Sequence, residues 1–226
     1  MGKILVTGSI AYDYIMHFGD VFKNHILLDK LDILNVSFTA HQMSKNFGGT
    51  AGNIAYSLNL LKESPLIFST VGRDFNEYRE KLSGDGIDSS YIHVDQDEWT
   101  ASAHIITDKE DNQITAFYGG AMLKNDITIE HILKKEDVSL AIIAANGRDG
   151  MIRYAKELKE AKVPYIYDPG QSLPSFQKDH LIYLAQDAYI IVMNEYETEL
   201  FLEKTSMTQS ELLKLVKYLK VKKGEG

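Results

Sequence analysis

Residues 47–55 read Phe-Gly-Gly-Thr-Ala-Gly-Asn-Ile-Ala, so that two adjacent glycines are followed at once by a helical pattern. Ile54, Leu58 and Leu61 recur at the spacing that places side chains on one face of a helix. Thr50 is a residue type that caps helices, and we expect it to begin this helix. The stretch therefore predicts an extended segment, a tight glycine turn and then a helix.

A turn of this kind is suited to binding a small polar ligand. Gly48 and Gly49 have no Cβ, which lets a ligand come close to the backbone. Asn53 lies one turn into the helix, where its amide offers both a donor and an acceptor to a hydroxyl-rich molecule. A tight turn before a core helix, with no ligand, explains the same residues. Motifs elsewhere in the sequence are needed to distinguish these two interpretations.

The composition limits the classes of protein to consider. The chain has 226 residues, of which 44% are hydrophobic and 25% charged, enough for one sizeable core. A net charge of −8 argues against a nucleic-acid or anionic-membrane partner. The absence of cysteine excludes thiol catalysis and fits a reducing compartment. No apolar run reaches membrane length, and the N-terminus has no signal-like segment, so we expect a cytoplasmic protein.

Short apolar segments alternate with amphipathic ones along most of the chain. This alternation predicts a mostly parallel sheet covered by helices on both faces, an α/β architecture. The predicted strands are residues 3–6, 66–71, 140–144, 165–168 and 189–193. The predicted helices are residues 75–82, 149–161, 195–202 and 210–219, the last of which shares a basic cluster, 214–223, with the C-terminus.

Two regions do not follow this alternation. Residues 26–47 mix apolar positions such as Leu28, Leu34, Val36 and Phe38 with polar ones, without helical period. Later, two strand patterns at 101–107 and 113–118 flank a polar loop that suits a hairpin. We expect these regions to form a small β lid over the glycine turn. Edge strands of the main sheet are the alternative.

Acidic and amide side chains follow several predicted strands. Asp13 comes after the first strand and Asp168 ends a later one, which is where open α/β sheets bind ligands. Asn194 and Glu197 follow the next strand at the spacing of a helix capping box. The same amide and carboxylate would also suit a hydrated Mg²⁺. Solvated loop residues and a simple helix cap remain alternatives.

Several common site motifs are absent from the sequence. It has no phosphate loop of the GxxxxGK[ST] type, no GxGxxG dinucleotide motif and no GxSxG nucleophile elbow. The seven histidines are scattered without the spacing of zinc ligands.

Taken in order, these motifs resemble the ribokinase family of carbohydrate and nucleoside kinases, also called the PfkB family. Residues 48–55 are similar to its Gly-Gly-x-x-x-Asn-x-Ala signature, which is the most specific match. Residues 71–74 (Val-Gly-Arg-Asp), 168–169 (Asp-Pro) and 194–197 (Asn-Glu-Tyr-Glu) resemble its later motifs. The sequences of residues 47–53, 111–117 and 168–171 are more similar to the adenosine-kinase-like branch than to ribokinase itself.

The resemblance implies one domain over residues 1–226, a Rossmann-like three-layer α/β sandwich with a β-sheet lid from about 13–47 and 95–120. It implies transfer of the ATP γ-phosphoryl to a hydroxymethyl group of a sugar or nucleoside, with adenosine slightly favoured. ATP and Mg²⁺ would be the cofactors, and the lid is often used for homodimer contact.

The resemblance also assigns roles to particular residues. The substrate would be bound by Asp13, Gly48, Gly49 and Asn53. Asn194 and Glu197 would serve the metal and phosphate, with Asp168 at the ligand edge.

One family motif is missing. No Gly-x-Gly-Asp, the family's base aspartate and anion hole, occurs in these 226 residues. We therefore expect a C-terminally incomplete chain whose base lies beyond Gly226, and no catalysis by the chain as given. A non-catalytic sugar- or nucleoside-binding or regulatory protein is the alternative, and an unrelated α/β protein is the third.

Overall fold

Eleven strands and seven helices are found in the computed structural model, which describes residues 2–26, 35–124 and 126–222. The strands are β1 (Lys3–Thr7), β2 (Ala11–Phe18), β3 (Ala40–Gly48), β4 (Pro65–Gly72), β5 (Ile92–Asp95), β6 (Ala101–Thr107), β7 (Gln113–Tyr118), β8 (Val138–Ile143), β9 (Tyr165–Tyr167), β10 (Ile190–Asn194) and β11 (Tyr218–Lys222). The helices are α1 (Thr50–Leu60), α2 (Asn76–Gly84), α3 (Glu130–Lys135), α4 (Arg148–Glu160), α5 (Lys178–Ala185), α6 (Glu195–Thr205) and α7 (Gln209–Leu215).

The main sheet has seven strands in the order β11-β10-β9-β8-β1-β4-β5. Every neighbouring pair in it is parallel, as the alternation of strands and helices predicts. All eight residues of β4 are buried, because a parallel strand inside such a sheet has helices on both faces. The predicted α/β architecture with a parallel central sheet is confirmed.

Two apolar cores lie on the two faces of this sheet. One joins Leu5 and Phe68 to buried residues of α4, α5 and α6, including Tyr154 and Phe201. The other joins neighbouring strand positions, such as Ile67, to buried residues of α1 and α2. Successive strand residues point to opposite faces, so adjacent positions of one strand fill different cores.

The second sheet is small and has the order β3-β2-β6-β7. β2 pairs antiparallel with β3 and parallel with β6, and β6 and β7 form the predicted hairpin. These strands are separate from the main sheet, so the edge-strand alternative is wrong. The predicted apolar positions Leu28 and Leu34 lie outside the described residues.

The predictions near the C-terminus were wrong in part. The helix predicted at 210–219 ends at Leu215, and residues 218–222 form β11 beside β10. The basic residues there suggested a solvated helix face or a frayed tail, but β11 is the last strand of the sheet in the described part of the chain, and strands in that position are often lysine-rich. Leu61, predicted to share a helix face with Ile54 and Leu58, lies just after the end of α1 and is 72% exposed.

The sequence pattern also missed α3, α5 and β5, which are all short. In α5 only Leu181, Leu184 and Ala185 are buried, and so few apolar positions give little periodic signal. Among the described residues, no helix has the length and apolar character needed to cross a membrane.

Candidate functional site

A cavity of about 1060 Å³ lies between the strand ends of the main sheet and the inner face of the small sheet. Five of the seven predicted site residues line it: Asp13, Gly49, Asn53, Asp168 and Glu197. The other two, Gly48 and Asn194, lie behind the wall and contact residues that do line it. Residues far apart in sequence are therefore brought to one space.

The two glycines of the turn are required for different reasons. Gly49 has φ of +86°, a left-handed conformation, and a Cβ there would lie 2.5 Å from the Ser9 carbonyl oxygen. At Gly48 a Cβ would overlap the carboxylate of Asp13. Gly49 thus permits the turn, while Gly48 leaves room for the Asp13 side chain.

Thr50 was expected to cap α1, and that prediction is wrong. Gly49 is the residue before the helix, and Thr50 is the first residue within it. Two hydroxyls replace the cap: the Thr50 N–H donates to Ser9 Oγ at 3.0 Å, and the Ser9 N–H donates to Thr50 Oγ1 at 3.1 Å. The Thr50 hydroxyl donates in turn to the Ala145 carbonyl at 2.9 Å. This network ties the turn after β1 and the segment after β8 to the start of α1.

Asp13 and Asn53 both present unused polar groups to the cavity. Asp13 is the third residue of β2, not part of a loop after the first strand as predicted, and Asn53 lies in the first turn of α1. Burial raises the pKa of the Asp13 carboxyl. Neither side chain has a hydrogen-bond partner within the described part of the chain, so both are available to a ligand.

Asp168 and Glu197 form an acidic pair on another part of the wall. Asp168 follows β9, and its burial, together with the charge of Glu197, raises its pKa to about 6. Glu197 also completes the predicted capping box: its N–H donates to Asn194 Oδ1 at 2.7 Å, and its Oε2 accepts from the Asn194 N–H at 2.9 Å. The helix-cap interpretation is correct, and it leaves Glu197 on the cavity surface.

The residues after β8 also line the cavity, and sequence reasoning missed them. Asn146 is 4% exposed, and its Oδ1 accepts the Gly147 N–H at 2.9 Å. Arg148 begins α4 and pairs with Asp149 at 2.8 Å. The apolar run at 140–144 was recognised as a strand, so the same strand-end rule that selected Asp168 would have selected these residues.

The small sheet supplies the remaining wall. Asp13, Ala103 and Phe117 are direct neighbours in register across β2, β6 and β7. Phe117 lines the cavity and stays 54% exposed, so much of this residue is left uncovered by the described protein.

A parallel α/β sheet whose strand ends share a cavity with a small β-sheet defines a ribokinase-like fold. Residues 8–225 match the family described as pfkB family carbohydrate kinase, and the chain belongs to that family. The third hypothesis, an unrelated α/β protein, is therefore wrong.

Two curated relatives of this chain are nucleoside kinases. The chain is 30% identical over 209 residues to a nucleoside kinase of Methanothermobacter thermautotrophicus, covering 90% of this chain and 63% of that protein. It is 28% identical over 202 residues to the nucleoside kinase of Methanocaldococcus jannaschii, covering 88% and 62%. The chain thus spans somewhat less than two thirds of the length of these curated relatives.

A solved structure of Burkholderia thailandensis nucleoside kinase with inosine superimposes with a TM-score of 0.87 at 37% identity, over 99% of this chain and 70% of that one. The same protein with ADP-inosine gives 0.83 at 39% identity, again over 99% and 70%.

Proposed function

We propose that this protein takes part in ATP-dependent phosphoryl transfer to the hydroxymethyl group of a nucleoside, adenosine or inosine in preference to a free sugar. The observation that carries this proposal is one cavity with two chemically different walls. Asp13 and Asn53 offer unused hydrogen-bonding groups on one wall, and Asp168 and Glu197 offer a carboxylate pair on the other.

The first wall suits the acceptor. Asp13 accepts hydrogen bonds from hydroxyls, and the Asn53 amide both donates and accepts, which matches the vicinal hydroxyls of a ribose. The exposed Phe117 ring would stack on a purine ring. The similar Burkholderia structure contains inosine, which supports a purine nucleoside as the substrate. The sequence of residues 111–117, which resembles the adenosine-kinase-like branch, supports adenosine as a second candidate.

The second wall suits Mg²⁺ and part of ATP. Within the described residues no cluster of three or more acidic or histidine side chains forms a closed metal site. Two carboxylates with hard oxygen donors fit Mg²⁺, which keeps several of its waters, and Asp168 and Glu197 would hold it through them. The cation would neutralise phosphate charge. Asn194 orients Glu197 through the capping box, and Arg148 is placed to meet a phosphate.

A nucleoside-binding or regulatory protein without catalysis is the second candidate. The observation that favours it is the absence of Gly-x-Gly-Asp from these 226 residues, since in the family this motif carries the base and the anion hole. Both candidates require a nucleoside site, and only the first requires turnover.

Nucleoside binding tests the acceptor wall, which is the part of the cavity wall that carries Asp13 and Asn53. Asp13→Ala and Asn53→Ala should each weaken adenosine and inosine binding by about 1–3 kcal/mol, or roughly 5- to 150-fold, because each leaves a ligand group unpaired. Isothermal titration calorimetry measures the affinity, and thermal melting checks the fold. Asp137→Ala is the control, since Asp137 is exposed just before β8, at the other end of the sheet. Unchanged affinity with a large loss of stability would make both residues structural.

The two sheets form one domain, in which the small sheet acts as a lid over the acceptor and its outer face joins a second copy of the chain. That face carries an apolar row of four residues that are neighbours in register: Met43, Met16, Ile106 and Ile114. Met43 is 67% and Ile114 42% exposed, although residues of this size favour burial. The cytoplasm, where ATP is available, is the proposed location.

We expect Met43→Glu with Ile114→Glu to convert a dimer into a monomer, because like charges in an apolar interface lose hydration without a partner. Light scattering coupled to gel filtration measures the mass. Leu213→Glu, at a position 52% exposed on α7, is the matched control and should leave the dimer intact. A wild-type monomer at high protein concentration would contradict the proposed lid contact.

A further inference from the structure

The glycine turn is held from behind by a tyrosine that does not line the cavity. Tyr78, on α2, is 3% exposed, and its hydroxyl donates to the Gly48 carbonyl at 2.9 Å in a fully buried hydrogen bond. Its ring packs against Phe47, with 5.0 Å between ring centroids, and against Tyr12, at 5.8 Å. The position of the hydroxyl is therefore set by the packing of its ring against these two aromatic side chains.

Gly52 provides the space for this hydroxyl. A Cβ at Gly52 would overlap the Tyr78 oxygen and lie 3.1 Å from Cζ of the same ring. Gly52 does not have a positive φ, so its backbone conformation would accept alanine. Glycine inside a helix costs about 1 kcal/mol relative to alanine. The tyrosine hydroxyl is the structural reason for keeping it.

The hydrogen bond from Tyr78 affects the acceptor wall because Gly48, which accepts it, contacts Asp13. The Cα of Gly48 lies directly against the Asp13 carboxylate, because a Cβ at this position would overlap that group. The next residue, Gly49, accepts the Asn53 N–H at 3.1 Å. A shift of the Gly48–Gly49 peptides would thus move both side chains that we assign to the acceptor.

We propose that Tyr78 is a positioning residue for the acceptor site: its hydroxyl, admitted by Gly52, fixes the Gly48 carbonyl and so holds the glycine turn against Asp13 and Asn53. This inference rests on the proposed function for its effect on ligand binding. A purely structural role, in which the hydroxyl only fills space and satisfies a buried carbonyl, is the competing explanation.

A double-variant cycle separates the two explanations. Tyr78→Phe removes the hydroxyl, and Gly52→Ala forces it out of place, so each should lower stability and weaken adenosine binding about tenfold, the effect of one buried hydrogen bond. In Tyr78→Phe with Gly52→Ala, the alanine methyl occupies the space of the lost hydroxyl. Melting temperature should then rise above that of either single variant, while affinity stays about tenfold weaker because the tyrosine donor to the Gly48 carbonyl is still absent. Recovery of affinity together with stability would overturn the positioning role.

Tyr165→Phe is the matched control. Its hydroxyl donates to the Leu184 carbonyl at 2.9 Å, its side chain is 1% exposed, and it does not line the cavity. We expect a comparable loss of stability with unchanged nucleoside affinity. A tenfold loss of affinity in this control would show that any buried tyrosine change affects binding, and would also overturn the inference.

Amide hydrogen exchange of peptides covering residues 47–53 gives a second readout that needs no ligand. The double variant should exchange faster there than wild type despite its partly recovered melting temperature. Equal exchange rates would overturn the inference even if wild type bound nucleoside. Wild type that binds no nucleoside, with faster exchange in the double variant, would contradict the proposed function and leave Tyr78 as the residue that holds the turn.

Discussion

A polypeptide of these 226 residues is expected to bind adenosine or inosine and to transfer no measurable phosphoryl group from ATP. Phosphoryl transfer depends on positioning and on stabilising charge in the transition state. The cavity holds acceptor and carboxylate groups, but none of its described lining residues stands in a Gly-x-Gly-Asp segment, and the sequence contains none. Losing one oxyanion-type donor lowers the rate about 10²- to 10³-fold, and in the family the Gly-x-Gly-Asp segment would supply the base as well.

A coupled ATP-consumption assay with adenosine, inosine and ribose measures this directly, beside calorimetric titration of the same preparation. The nucleoside kinase of Burkholderia thailandensis, assayed in parallel, is the positive control. Turnover near one per second, an ordinary rate for a kinase, would show that a base exists within these residues. Absence of both turnover and nucleoside binding would instead contradict the assignment of Asp13 and Asn53 to nucleoside binding.

Much of the site could be predicted because strand ends are recognisable in a sequence. The apolar segments before Asp168 and Asn194 end sharply, and the carboxyl ends of parallel strands gather at one edge. The position of Asp13 was misjudged for a related reason. Its segment was interpreted as a turn, whereas β2 begins only four residues after β1 in a different sheet. Which strands share a sheet depends on long-range pairing, which a local pattern does not contain.

Contacts through space account for the other failures. The Thr50 prediction relied on local capping chemistry, but the α1 start is completed by Ser9, forty-one residues away in sequence. Nothing near Tyr78 in the sequence indicates that its hydroxyl meets the Gly48 carbonyl, thirty residues earlier. The capping box at Asn194 was predictable because donor and acceptor are three residues apart. Hydrogen bonds between residues close in sequence can be inferred from the sequence, whereas those between distant residues require the structure.

The acidic pair Asp168 and Glu197 is expected to have a large effect on stability, because it destabilises the folded state. Burial first, and the charge of Glu197 second, raise the pKa of Asp168 from 3.8 to about 6. The folded protein therefore holds a proton at Asp168 between about pH 4 and pH 6, where the unfolded chain has released it. Since the folded state binds more protons in this window, its stability falls as pH rises through it. Above pH 6 the full penalty is present.

Asp168→Asn should therefore stabilise the protein at pH 7 by about 2–3 kcal/mol, the free energy of a shift of about two pKa units. The asparagine keeps an oxygen that can accept the Gly170 N–H, so the local turn should persist. Denaturant unfolding at several pH values measures the difference, which should shrink towards zero as pH falls to about 4. Added Mg²⁺ should stabilise the wild type at pH 7 and have much less effect on the variant, because the cation offsets the cost of the buried Asp168 charge. A variant less stable than wild type at pH 7 would mean that the Asp168 carboxylate supports the fold, and the acidic wall would lose its assignment as a cation and phosphate site.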